Sequence, residues 1–446
     1  MASAAEQLAA NLSFSSFRSA TDLKKRLWFT LGALVIYRIG SYIPVPGIDP
    51  VALAQVFQST AGGLLGMVDV FSGGALGRMT IFALNIMPYI SASIIVQILT
   101  TVLPSWEALK KEGEAGRKKL NQYTRYGTVL LAVFQAYGIA VGLEGAQGGG
   151  GSVVLDPGLY FRFVTVVTLV GGTMFLMWLG EQITARGVGN GISLIIFSGI
   201  VATMPGALVQ ILELGRTGAM SAAFIIVLLI GMVTVIAFAV FMELAQRRIL
   251  VQYPKRQQGN KVYGGESTHL PLKINTAGVI PPIFASSLLL APATVAGFGA
   301  AQGSDWMIWI TNNLGHGRPA YMLLYIGLIM FFCFFYTAVM FNPTETAENL
   351  KKYGGFIPGI RPGKNTADYL DYVLTRITVV GSLYLAGICA LPELLISEAA
   401  IPFYFGGTSL LIIVTVTLDT VTQVQSHLLA HQYEGLIKRA RLKGRK

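Results

Sequence analysis

The sequence predicts an all-α membrane protein of ten transmembrane helices in two inverted five-helix halves, on three observations. Charged residues make up 12% of the 446 residues and hydrophobic ones 53%, with a mean hydropathy of +0.60, whereas soluble domains carry about 25% charged residues. Ten apolar stretches approach the roughly 20 residues that a helix needs to cross a hydrocarbon core about 30 Å thick. Lysine and arginine fall almost entirely on alternate connections between those stretches.

The stretches lie at 27–43, 79–103, 122–142, 159–180, 191–212, 220–242, 274–298, 320–341, 373–392 and 403–421. Of the 33 basic residues, 27 belong to the N-terminal segment, the even-numbered loops with Arg376 at their border, and the tail. The odd-numbered loops hold Arg78, Arg216 and Arg318, and Arg38, Arg125 and Arg162 lie within or beside spans. Positive charge marks the cytoplasmic side. A multi-pass membrane protein with both termini in the cytoplasm is therefore expected.

The N-terminal segment 1–26 is weakly amphipathic and ends in Lys24, Lys25 and Arg26. It lacks the order of a cleaved signal peptide, so the first apolar run is expected to stay as a span. The chain divides between spans five and six into halves 27–212 and 213–421, followed by a basic tail 422–446. Five spans per half force opposite orientations, the inverted-repeat plan of many transport proteins. No internal sequence repeat accompanies it.

Arg38 to Asp49, RIGSYIPVPGID, has two prolines and a glycine that break the first helix at the outer surface. Leu64 to Ser72 is apolar but only about 13 Å long as a helix, less than half a bilayer. Followed by Gly73, Gly74 and Gly77, it fits either a re-entrant segment held inside protein or an amphipathic segment on the outer surface. The glycine run Gly148 to Gly151 reads as an external loop tip, without the context of a phosphate cradle. In the sixth loop, 243–273, Ile249, Val251 and Tyr253 alternate as in a strand among Arg247, Arg248, Lys255, Arg256 and Lys261. Its length favours a docking hairpin over a simple connection. The eighth loop, 342–372, adds Lys351, Lys352, Arg361 and Lys364.

Chemistry-bearing patterns are sparse. Cys333 and Cys389 each sit in an apolar run and encode neither a disulfide framework nor a metal cluster. The middle of the spans holds no acidic or histidine relay of the kind that coupled transporters retain at a cost of about 2.5–3.5 kcal/mol per charge. Asp419 is nearest, near the cytoplasmic end of the last span. HExxH, GxSxG and GxxxxGK[ST] are missing, and His427 and His431, four apart, make only half of a metal site. No cofactor, metal or catalytic residue is expected. A passive conduit fits this pattern best, with an inverted-repeat transporter of small solutes as the alternative and an intramembrane enzyme as a third class.

Six blocks then carry a specific resemblance. They are LLGMVDVFSGGALGRMTIFALNIMPYISASIIVQ (Leu64 to Gln97), KKEGEAGRKKLNQYTRYGT (Lys110 to Thr128), GTMFLMWLGEQITARGVGNGIS (Gly172 to Ser193), ESTHLPLKIN (Glu266 to Asn275), FNPTETAENLKKYGGFIPGIRPG (Phe341 to Gly363) and PFYFGGTSLLI (Pro402 to Ile412). In order and spacing the chain resembles the SecY/Sec61-alpha family from about residue 24 to residue 437.

The resemblance implies a clamshell of two halves around an hourglass pore that passes unfolded secretory polypeptides and releases transmembrane segments sideways into lipid. The ring at its waist falls on Ile86, Ile90, Ile196, Ile200, Ile283 and Ile412. The re-entrant plug falls on Leu64 to Ser72, with Leu64, Leu65, Met67, Val68, Val70 and Phe71 as its apolar face. An apolar ring of this kind blocks ions by dewetting, and the pairs Ile86/Ile90 and Ile196/Ile200 have the i, i+4 spacing of one helical face. Taken without the resemblance, isoleucine in a membrane helix is ordinary packing or lipid-facing material.

The lateral gate is implied between spans two and three on one side and seven and eight on the other, where Ser91, Gln97, Asn275 and Ser287 lie. Each of these also fits ordinary interhelical hydrogen bonding. Loops six and eight, with Arg361 at the family's key arginine position, are implied to dock the ribosome and the SecA motor ATPase, leaving ATP hydrolysis to a partner. SecE and SecG subunits, YidC, SecDF, signal sequences and membrane lipids complete the implied partners. Asn85 departs from the family's usual glycine. Two roles fit it: lining the funnel, or hydrogen-bonding a neighbouring helix.

Overall fold

The computed structural model describes residues 21–60, 69–148, 151–218, 220–254, 256–258, 261–263, 267–299, 318–399 and 406–443. Helix α1 (Thr21–Gly40) leads out of the basic segment, and α2 (Pro50–Thr60) follows the proline break. Helix α3 (Met87–Val102) meets α4 (Pro104–Lys111) at a bend of 100°. Pro104 lacks an N–H and forces that break. Next come α5 (Glu114–Gly145), α6 (Leu159–Arg186), α7 (Gly191–Arg216) and α8 (Ala222–Leu244). The second half continues with α9 (Ile280–Gly299), α10 (Pro319–Met340), α11 (Pro343–Lys352), α12 (Lys364–Ala399) and α13 (Gly407–Lys443). Asn190, Ser221 and Asn342 cap α7, α8 and α11 by accepting from N–H groups of the first turn.

Each of the ten expected windows contains a helix. Seven of the described helices are long and apolar enough to cross a membrane, and the bent pair α3–α4 is an eighth if its two helices are one broken span. Helix α1 opens with Asp22, Lys24, Lys25 and Arg26, and α9 runs 20 residues, Ile280–Gly299.

Two expectations are amended. The second span begins at Met87, not at residue 79. Pro88 has no N–H to give to an interior turn, and it sits instead at the helix start, where that donor is not needed. Residues 79–86 are successive turns, with Met79 at φ +45° and Asn85 at φ +49°. The all-α class also gains small hairpins. β1 (Gln147–Gly148) pairs with β2 (Gly151–Ser152) across the glycine run. β3 (Gln246–Gln252) pairs antiparallel with β6 (Ser267–Lys273), while β4 (Arg256–Gln258) pairs with β5 (Lys261–Tyr263) nearer the tip.

The largest apolar cluster collects buried residues from nine helices of both halves, including Tyr37, Ile94, Leu176, Ile195, Ala239, Ala285, Ile329, Leu385 and Leu411. A second cluster joins the segment around Val45, Leu53 and Leu76 to α5 and α6. There Ala132, Ala136 and Ala140 let helix backbones approach closely. A third, of Ile249, Leu272, Ile357, Leu370, Val373 and Ile377, packs the β3–β6 hairpin onto the eighth loop and α12. By contrast α8 is almost unburied, presenting Val227, Ile230 and Val233 outward. That exposure is expected of a surface whose solvent is lipid.

Candidate functional site

Five of the six ring isoleucines meet. Ile86, Ile90, Ile196, Ile283 and Ile412, with Phe71, Asn85, Met87 and Ser286, line one central gap with room for about one water molecule. They come from α3, α7, α9 and α13, so both halves contribute. Ile86 is the N-cap of α3 and not part of its helix, yet Ile90 N–H donates to Ile86 O at 3.1 Å, and both side chains line the gap. Ile200 is fully buried in the same cluster but does not line the gap.

Of the residues expected to form a plug, Leu64, Leu65, Met67 and Val68 lie outside the described residues. Val70 and Phe71 belong to a helical turn, 69–72, which meets the ring isoleucines at Phe71. Three successive carbonyls at its end are held from three directions. Asn85 Nδ2 donates to Phe71 O at 2.6 Å, Tyr37 Oη to Ser72 O at 3.1 Å, and Arg38 to Gly73 O at 2.9 Å, where Arg78 also donates at 3.1 Å. Gly73 has φ +69°, a left-handed conformation that suits glycine. It abuts Gly199 of α7 so closely that a Cβ on Gly73 would lie 2.9 Å from Gly199 Cα. The same turn is braced internally, since Asp69 Oδ1 accepts from Gly77 N–H at 2.6 Å. Burial raises the Asp69 carboxyl above its ordinary range, opposed by the Gly77 amide and by Arg78.

Tyr37 and Arg38 were legible as span residues but not as partners of the 69–74 turn, because the contact joins residues 35 apart. The two other arginines beside spans are also paired. Arg125 bonds Glu181 at 2.7 Å and Arg162 bonds Glu144 at 2.6 Å.

At the expected gate, α9 packs against α3 and α5. Ser287 Oγ reaches Met87 Sδ at 3.9 Å across that seam. Ser91 and Gln97 are half-buried on α3, and Gln97 Oε1 is buried without a partner among the described residues. Asn275 turns away from the seam and donates to Glu243 Oε1 at 2.6 Å.

On the basic loops, Arg247 and Arg248 are exposed on β3. Arg256 and Lys261 lie on β4 and β5, and Lys255 lies outside the described residues. Arg361 is exposed between the left-handed Gly359 and Gly363. Gln252 and Phe356 exchange both backbone hydrogen bonds at 2.9 Å, joining loops six and eight into one surface.

Comparison with known proteins agrees with this architecture. The SecY family profile matches residues 80–421, more than three quarters of the chain. Protein translocase subunit SecY of Rickettsia felis is 57% identical over 428 residues, covering 96% of this chain and 99% of that one. Its namesake in Escherichia coli K12 is 56% identical over 426 residues, covering 95% and 96%. Among solved structures, one described as "The structure of a protein conducting channel" aligns with TM-score 0.63 at 19% identity, over 91% of this chain and 92% of that one. A SecY structure described by a plug domain that stabilises the closed state aligns with TM-score 0.62 at 20% identity over the same shares. Sec61 from the canine ribosome-channel complex also aligns with TM-score 0.62, at 17% identity and the same coverage. On the profile match over more than three quarters of its length and on relatives 56–57% identical, the chain belongs to the SecY family.

Proposed function

We propose that this chain is the channel subunit of a protein translocase, passing unfolded secretory polypeptides across the inner membrane and releasing transmembrane segments laterally into lipid. The convergence of Ile86, Ile90, Ile196, Ile283 and Ile412 on one water-sized gap carries the reading. Aliphatic side chains from both halves seal ions out by dewetting, yet they have no fixed bonds to break when a chain pushes them aside. Ile200 backs the ring from behind. The relatives' names, protein translocase subunit and protein conducting channel, support the same activity.

In this reading ten spans form two inverted halves, 27–212 and 213–421, that close as a clamshell. Both termini, the segment 1–26 and the tail 422–446 lie in the cytoplasm, where positive charge concentrates. The segment Leu64 to Ser72 is the plug, with its 69–73 end seated on Tyr37, Arg38 and Asn85. The seam between α9 and α3 is the lateral gate, with Ser287, Ser91 and Gln97 along it.

Loops six and eight, joined at Gln252 and Phe356, form the docking surface. Arg247, Arg248, Lys255, Arg256, Lys261 and Arg361 attract phosphate-rich RNA by counterion release and acidic protein faces by charge, both weakening with salt. The ribosome, present in the complex of the canine relative, is the first partner, and a SecA-type motor that hydrolyses ATP is the second. SecE, SecG, YidC and SecDF accompany them. Crosslinking from photoreactive groups at Ile90 and Ile412 to a secretory chain stalled during passage tests the proposal. Labelling of both positions only when a chain is engaged is expected, and a small-solute carrier would give none.

A further inference from the structure

The docking hairpin and the gate helix meet at one joint, and a buried polar pair sits in it. Helix α8 ends at Leu244, β3 begins at Gln246, β6 ends at Lys273 and α9 begins at Ile280. The hairpin base is closed by Ile274 N–H donating to Ala245 O at 3.0 Å. Directly beneath it Asn275, 3% exposed, donates from Nδ2 to Glu243 Oε1 at 2.6 Å and to Gly278 O at 3.2 Å. Glu243 is itself 7% exposed. Tyr384 of α12 reaches into the joint, its Oη donating to Ala239 O at 3.3 Å and lying 3.5 Å from Glu243 Oε1. At Gly381, one turn earlier, a Cβ would lie 2.6 Å from Ile274 O, so α12 also abuts the joint through backbone.

A buried carboxylate is costly unless it is bonded, and this chain spends one where simple membrane packing needs none. What the pair does is geometric. It fastens the end of α8 to the six-residue link 274–279 that leads from the hairpin into α9. Helix α9 carries Ile283 into the ring and Ser287 to the seam with Met87. Above the joint, the hairpin is welded to loop eight at Gln252 and Phe356 and by the Ile249–Leu272–Ile357 cluster. A tilt of the docking surface therefore has a continuous, packed route to the gate helix, and Asn275 is where that route turns a corner.

We infer that Glu243 and Asn275 are positioning residues that couple engagement of the basic loops to movement of α9 at the lateral seam. The inference rests on the docking reading proposed above and adds the element that transmits it. Spatial continuity alone does not demonstrate coupling, so the test measures coupling directly.

Cysteines at Met87 and Ser287 report the seam by the rate at which they oxidise to a disulfide, while the native Cys333 and Cys389 are buried. Reconstituted channel is given empty ribosomes, and both ribosome affinity and disulfide rate are read. In the parent the rate falls severalfold on binding. Glu243→Ala and Asn275→Ala are expected to bind ribosomes with unchanged affinity and to lose most of that response, while Glu243→Gln, which still accepts from Asn275, keeps it. The double variant Glu243→Ala/Asn275→Ala leaves neither partner orphaned, so it folds best of the three alanine variants. It is expected to lose the response to about the same extent as either single variant. A parent-like response in the double variant, or additive losses from the two singles, overturns the inference while leaving docking intact. A parent that neither binds ribosomes nor responds overturns the docking reading and the inference with it.

Discussion

Asn85 Nδ2 lies 2.6 Å from the carbonyl oxygen of Phe71, and it reaches there from a backbone at φ +49°. Asparagine is one of the few non-glycine residues that tolerate this left-handed region, because its short polar side chain bonds locally. A glycine at this position would take the same backbone shape and could make no such bond. The asparagine therefore keeps the turn and fastens the base of α3 to the 69–73 turn.

Asn85→Gly isolates the fastener, since glycine adopts φ +49° without strain. Loss of a hydrogen bond worth about 1 kcal/mol shifts the closed-to-open ratio about fivefold. Resting ion conductance in a planar bilayer is expected to rise accordingly, with membrane insertion unchanged. Wild-type conductance in this variant would mean that Phe71 O is held well enough by its neighbours.

The ring gives a larger effect. Replacing Ile86, Ile90 and Ile196 together with serine puts hydroxyls around a gap that now admits about one water. A wetted constriction conducts. Resting conductance should rise severalfold more than in Asn85→Gly, and the same substitution at Ile200, which does not line the gap, should change it least.

Some of this arrangement was legible and some was not, for identifiable reasons. The alternation of Ile249 and Val251 fixed a strand, and the structure buries both while leaving Leu250 outward. Ring positions came from motif matching, since isoleucine spacing by itself cannot tell a pore from a packed helix face. Pro88 was readable as a helix start, but the apolar run through 79–86 masked it, because turns buried in protein carry the same composition as a helix. Tyr37 with Ser72, Gln252 with Phe356 and Glu243 with Asn275 join segments 32 to 104 residues apart. No local pattern encodes such pairings; only the packed chain brings them together.

Arg361 is exposed in a turn whose shape is set by Gly359 and Gly363, and its own contribution to the fold is a backbone carbonyl that accepts from Thr366 Oγ1 at 3.0 Å. Arg361→Glu leaves that bond in place. Thermal stability should stay within about 0.5 kcal/mol of wild type, as for an ordinary surface substitution. Motor-driven translocation into vesicles should fall by an order of magnitude or more, because the reversed charge repels an acidic partner face. Equal loss of stability and transport would return Arg361 to a structural role.

Gly199 tests the seating of the 69–73 turn from the opposite side. A Cβ built there would lie 2.9 Å from Phe71 O, 3.1 Å from Tyr37 Oη and 3.3 Å from Gly73 N. Contacts this short against backbone are relieved only by moving a chain segment, and overpacking of this kind costs about 1–3 kcal/mol. Helix α7 is the heavier partner, capped by Asn190 and buried through Ile195, Ile196 and Ile200. The 69–73 turn, held by side-chain hydrogen bonds from Tyr37, Arg38, Arg78 and Asn85, is the lighter one. Gly199→Ala should therefore lift the turn and leave the helix in place. With Val70→Cys as the reporter, a membrane-impermeant thiol reagent added from outside should label the idle channel severalfold faster when Gly199→Ala is present. An unchanged labelling rate, with Gly199→Ala correctly inserted, would mean that the turn does not rest on α7 in the membrane.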